Sequence, residues 1–106
     1  MTERTFGDVA TKLLFENDRV KVWELALEPG ETSDLHEHHH DYLLIQLEGD
    51  KIAGIFEEDT HGAYPPGIVE GDVAFGNVFY TEKGGVETAK NTGKQSYREI
   101  LVELKD

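Results

Sequence analysis

The punctuation of the chain limits its fold more than any other feature. Runs of β-forming residues end, one after another, at Gly, Pro or Asn, and none is long enough for a substantial helix. Val20 to Leu27 is rich in β-formers and stops at Pro29-Gly30. Tyr42 to Leu47 is almost wholly apolar and closes at Glu48-Gly49-Asp50, with Lys51 to Phe56 following, so a hairpin is the natural reading. Pro65-Pro66-Gly67 rules out a regular element at the end of the loop 57–67. Ile68-Val69, Val73 to Phe75 and Asn77 to Tyr80 are each broken by Gly71 or Gly76, and Thr88 to Lys90 runs into the turn Asn91-Thr92-Gly93. Ser96 to Leu104 ends the chain with Ile100, Val102 and Leu104 on one strand face. Only Asp8 to Phe15 reads as briefly helical. Short strands at regular spacing predict an all-β, antiparallel sandwich or barrel, with at most a short N-terminal helix or turn.

At 106 residues the chain is long enough for one domain, 1–106, with a single modest core. Lys plus Arg is 10 and Asp plus Glu is 22, so the net charge is 10 − 22 = −12. With no basic stripe, that charge argues against nucleic acid and anionic membrane surfaces as partners. Most of the acidity reads as solubility carried on exposed faces. The stretch Met1 to Thr11 is charged and lacks the apolar core of a secretory signal, and no apolar run is long enough to span a bilayer, so the expected location is cytoplasmic. The absence of cysteine removes disulfides, thiolate ligands and a cysteine nucleophile.

The chemistry concentrates in Asp34 to Gly49, DLHEHHHDYLLIQLEG. Alternation along a strand puts His36, His38, His40 and Tyr42 on one face, with His39 on the other and Gln46 deeper on the first. Two imidazoles at i and i+2 can share a cation, and imidazole suits Zn, Cu, Fe and Ni alike. Alone, the pair is equally a solvated histidine-rich loop. His61, isolated among Gly and Pro, reads as loop surface, while Trp23, Phe56, Phe75, Phe79 and Tyr80 read as core and barrel wall.

Gly30, His36, His38, Tyr42 and Gly49 resemble the first motif of the cupin superfamily, G-x5-H-x-H-x3-E-x6-G, with Tyr42 standing where the family has Glu. Gly76, Glu82, Gly84, Glu87 and Asn91 are similar to the second, G-x5-P-x-G-x2-H-x3-N, with Glu82 in place of Pro and Glu87 in place of His. The resemblance covers residues 20 to 104 and implies a jelly-roll β-barrel. It also implies a divalent metal inside the barrel, held in the family by three His and one Glu.

Carried over by position, the ligand set is His36, His38 and Glu87, with Tyr42 at the fourth place. The carboxylate has in effect moved from the first motif to the second. Two imidazoles and a carboxylate suit the facial triad of non-haem iron and equally zinc with a bound water, so Fe, Mn, Ni or Zn is expected. His40 is the alternative third imidazole, with Glu87 then hydrogen-bonding a histidine. Tyr42 is open to three roles: a weak fourth ligand, a proton donor to substrate, or a barrel-lining aromatic; Tyr42 and His40 are the candidate catalytic groups. The implied function is a metal-dependent enzyme, an oxygenase, isomerase or lyase, acting on a small polar or carboxylate-bearing metabolite. The alternatives are a non-catalytic ligand- or metal-binding module and a metal-free barrel. The resemblance also implies a homodimer, and Leu13-Leu14-Phe15 is either a contact surface or part of the domain's own core.

Overall fold

The computed structural model describes residues 4–105; the first three residues of the Met1 to Thr11 stretch lie outside them. Nine strands follow in chain order among the described residues: β1 (Lys12–Glu16), β2 (Val20–Leu27), β3 (His36–Glu37), β4 (Asp41–Glu48), β5 (Lys51–Phe56), β6 (Gly67–Asp72), β7 (Val78–Thr81), β8 (Val86–Lys90) and β9 (Tyr97–Leu104). They form two antiparallel sheets, β1-β2-β9-β4-β7 and β3-β8-β5-β6. The expected all-β, antiparallel jelly roll is the fold observed.

The segment read as briefly helical, Asp8 to Phe15, is not a helix: residues 8–11 are irregular and the rest lies in strand β1. The Asn17 side chain accepts from the backbone N–H groups of Arg19 and Val20, both at 2.8 Å, and this tight turn folds β1 back onto β2. Leu13, Leu14 and Phe15 are 44, 45 and 54% exposed, so they do not close the domain's own core.

The hairpin expected from β4 to β5 does not form. Both edges of β4 are taken, by β9 and β7, and β5 pairs with β6 and β8 in the other sheet. Gly49, at φ 129°, turns the chain across the sandwich against Tyr97, where a side chain would collide with the ring. The Asp50 carboxylate fixes that crossing by accepting from the N–H groups of Lys51, Lys94 and Gln95. These bonds hold its carboxyl below the usual carboxylate range, the Lys94 N–H contributing most.

The histidine run is not one continuous strand either. His36 and Glu37 pair with β8 in one sheet, and residues 38–40 carry the chain over to β4 in the other. The competing demands of the two sheets break the strand.

Strand β9 shows where apolar alternation misleads. Ile100, Val102 and Leu104 face outward and are half-buried, while Tyr97, Glu99, Leu101 and Glu103 are buried. The register sets this, because β9 is central and its neighbours turn Trp23, Leu25 and Leu27 of β2 and Tyr42 of β4 inward. Full burial of a leucine such as Leu25 or Leu101 contributes about 1.5–3 kcal/mol, so the core outweighs the outer strip. Trp23 Nε1 donates to Glu103 Oε1 at 2.7 Å, which satisfies two buried polar groups at once. Trp23 and Phe56 are buried as expected, but Phe75, Phe79 and Tyr80 are 83, 44 and 60% exposed, on or beside the edge strand β7.

Candidate metal centre

His36 and Glu87 are direct cross-strand partners in the β3–β8 pair, which brings a first-motif and a second-motif residue side by side. His38, just beyond β3, is held to the Gly84-Gly85 backbone by two hydrogen bonds, its N–H to Gly85 O and its C=O from Gly84 N, both 2.9 Å. His36 and His38 are 1 and 2% exposed. Their Nε2 atoms lie 3.2 Å apart, and Glu87 Oε1 stands 3.1 Å from His38 Nε2 and 3.5 Å from His36 Nε2. Three donor atoms about 2.1 Å from a common ion would be about 3.0 Å apart at octahedral angles and about 3.4 Å at tetrahedral ones. The observed triangle fits that range.

Hydrogen bonding orients the donors. His36 Nδ1 lies 2.8 Å from the Asp34 carbonyl oxygen, which can only accept, so Nδ1 carries the proton and Nε2 presents its lone pair to the centre. His38 Nδ1 is buried and has no hydrogen-bond partner among the described residues. Burial lowers the His38 pKa against the pull of Glu87, which favours the neutral, ligating imidazole. Burial alone would raise the Glu87 carboxyl, but the contacts with His36 and His38 outweigh it and bring it to about 2. Two imidazoles and a carboxylate therefore converge, a donor set suited to a divalent transition metal.

Gly54 makes the room. On β5, across from Ala89 of β8, it sits where a Cβ would lie 2.7 Å from Glu87 Oε2. An isolated glycine inside an apolar strand is the one sequence signal for this close approach.

Tyr42 is 5% exposed and stacks on His38, ring centroids 4.1 Å apart and planes 19° from parallel. Burial first, and the Glu87 charge second, push its phenol far above the ordinary value, which favours the protonated form. His40 is half-buried and lies outside the group formed by His36, His38 and Glu87; His39 is exposed. His61 is exposed, as expected of a loop residue.

The centre opens into a cavity of about 200 Å³ between the sheets, lined by His36, Tyr42 and Glu87 at this end. Further in lies Gln46, as expected from strand alternation, together with Tyr97 and Glu99, which the sequence did not single out. Glu99 is 3% exposed, and the Tyr97 hydroxyl donates to its Oε1 at 2.5 Å. Gln46 Nε2 donates to the Tyr97 oxygen at 3.4 Å, and Asn77 Nδ2 to Gln46 Oε1 at 3.0 Å. Burial pushes the Glu99 carboxyl up to about 8 against the Tyr97 hydrogen bond, with the Glu87 charge adding to the rise.

No protein-family model and no curated protein sequence matches the chain. Solved structures do. A cupin domain from Bordetella pertussis Tohama I is similar over 100% of both chains, at 22% identity and a TM-score of 0.76. The fold is that of a small cupin. An RmlC-like cupin family protein with a double-stranded β-helix fold, from Methanocaldococcus jannaschii, matches 99% of this chain and 93% of its own at 18% identity and a TM-score of 0.68. A cupin superfamily protein from Desulfitobacterium hafniense DCB-2 matches 99% and 84%, at 19% identity and a TM-score of 0.64. The motif glycines of this cupin fold, Gly30, Gly49, Gly76 and Gly84, all have positive φ. The motif asparagine, Asn91, is 1% exposed and donates from Nδ2 to the carbonyls of Leu27 and Gln95, at 2.9 and 2.8 Å. Those motif positions are architectural, and His36, His38 and Glu87 form the group that could hold a metal ion.

Proposed function

We propose that this cupin holds one divalent transition metal, Fe, Mn, Ni or Zn, on His36, His38 and Glu87, and acts on a small polar molecule bound in the adjoining cavity. The observation that carries this reading is the triangle of donor atoms 3.1–3.5 Å apart, with the His36 lone pair turned inward by the Asp34 carbonyl. Bound there, a divalent ion supplies Lewis-acid polarisation of a substrate oxygen or, as iron, the means to react with dioxygen. The chain's own residues do the rest. Glu87 stays ionised, burial disfavours a charged His38, and Tyr42 keeps a phenolic proton beside the centre, available to a bound substrate.

Metal analysis of untagged protein tests the centre. Wild type is expected to retain about one equivalent after reconstitution and dialysis, and Glu87→Ala to lose affinity by about 10- to 100-fold or more. Stoichiometric metal unchanged in Glu87→Ala and lost in His40→Ala would overturn the assignment in favour of His40. A second reading, a non-catalytic metal- or ligand-binding module, is favoured by Tyr42 standing where the cupin motif has a ligand carboxylate. Metal uptake without turnover or oxygen consumption across a panel of small polar metabolites would select it.

The proposed partner is a second copy of the chain. Strand β1 is an edge strand carrying exposed Leu13, Leu14 and Phe15, and such an edge is a ready pairing surface. Size-exclusion chromatography with light scattering is expected to give twice 11.9 kDa. A monomer at high concentration would remove the dimer.

A further inference from the structure

The cavity has a chemistry of its own beyond the metal centre. Five aromatic rings line it, those of Tyr42, Phe56, Tyr64, Phe79 and Tyr97. Apart from His36 at the metal end and the tyrosines, its ionisable walls are acidic: Glu87 and Glu99 inside, Glu70 and Asp72 on the exposed strand β6, and no Lys or Arg among the described lining residues. Two of these carboxylates have other commitments. Glu87 belongs to the proposed metal centre, and Asp72 Oδ1 is paired with Lys51 Nζ at 3.0 Å. Glu99 is not committed in this way. It is buried, it faces the cavity from the central strand β9, and its only hydrogen-bond partner among the described residues is the Tyr97 hydroxyl on Oε1.

A buried carboxyl amid aromatic faces, with no cation nearby, suits a positively charged guest. An ammonium group gains from the ring faces and from Glu99, whose buried carboxyl gives up its proton to solvent as the cation takes its place. An anionic tail would find no Lys or Arg at this end to pair it. We infer that the ligand of this cavity is a small organic amine, bound with its ammonium group at Glu99 and among the aromatic rings, and not a carboxylate-bearing molecule. This rests on the reading of the cavity as the substrate site, and it narrows the small polar or carboxylate-bearing metabolite expected from the sequence to its polar, basic half. Size agrees: an apolar cavity of roughly 150 Å³ admits benzene, so about 200 Å³ holds a ligand of about eight non-hydrogen atoms.

Benzylamine and benzoate are matched probes of that size and opposite charge. Calorimetric titration and thermal shift with each, on metal-free and on metal-loaded full-length protein, separate this inference from the metal reading. Metal-free wild type is expected to bind benzylamine at least about tenfold more tightly than benzoate. Glu99→Gln, which keeps the side chain's shape and an acceptor for Tyr97, is expected to weaken benzylamine about tenfold or more while leaving metal content unchanged. Equal binding of the two probes by metal-free wild type, or no binding of benzylamine, overturns the inference without need of any variant. Undiminished benzylamine binding by a cooperatively melting Glu99→Gln also overturns it. Benzylamine binding in protein that takes up no metal would sustain the inference and remove the metal centre; metal uptake without benzylamine binding would do the reverse.

Discussion

At the scale of single residues, the candidate centre depends on what stands behind the donors as much as on the donors. Gly54 is the sharpest case, since a methyl group there would sit 2.7 Å from Glu87 Oε2. Gly54→Ala should push the carboxylate away from the imidazoles and weaken metal affinity by about tenfold, although no ligand has changed. Competitive titration against a chromophoric chelator reads this; unchanged affinity would mean that Glu87 moves freely or does not bind. His36, His38 and Glu87 were legible in the sequence because motif spacing and glycine positions survive substitution. Glu99 was not, because nothing separates a buried glutamate from an exposed one among 22 acidic residues until the register of β9 is known. Nor could spacing remove His40, whose departure follows from a strand that breaks.

At the scale of elements, strand content was readable from composition and punctuation, whereas pairing was not. A turn sequence such as Glu48-Gly49-Asp50 says that the chain reverses, but not whether it stays in its sheet. Here the neighbours decide: β9 and β7 occupy both edges of β4, and the Asp50 carboxylate ties the reversal to Lys94 and Gln95. Asp50→Ala should therefore lower the melting temperature by roughly a few degrees. It should also speed amide hydrogen exchange at Lys94 and Gln95 more than elsewhere. Uniform protection across the chain would show that the crossing does not depend on Asp50. Because the Asp50 carboxyl is depressed, its stabilisation is present above the ordinary carboxylate range and is lost as pH falls through its own lowered value.

At the scale of the whole molecule, the interior of a strongly acidic chain contains acid as well. Glu99 is raised to about 8, so the folded protein holds a proton that the unfolded chain has released above about 4.5. The sign follows directly. Stability contributed by this proton is fully present below the unfolded value, falls as pH rises between the two, and is gone above about 8. Metal-free wild type should thus melt at progressively lower temperature from pH 5 to pH 8, and Glu99→Gln should flatten that slope. Parallel slopes in the two proteins would place the proton elsewhere. The fold itself was the most legible property at this scale, since the resemblance covers residues 20 to 104 and the structural likeness extends over the whole chain.

The Asp34 carbonyl that holds His36 Nδ1 is a main-chain atom, and this has a consequence for anyone mapping the centre by mutagenesis. The group that selects the ligating nitrogen is absent from every list of replaceable side chains. A complete alanine scan would leave it intact, and sequence comparison would register nothing at position 34, whatever residue stood there. The lock passes from one sequence to another through the path of the backbone alone.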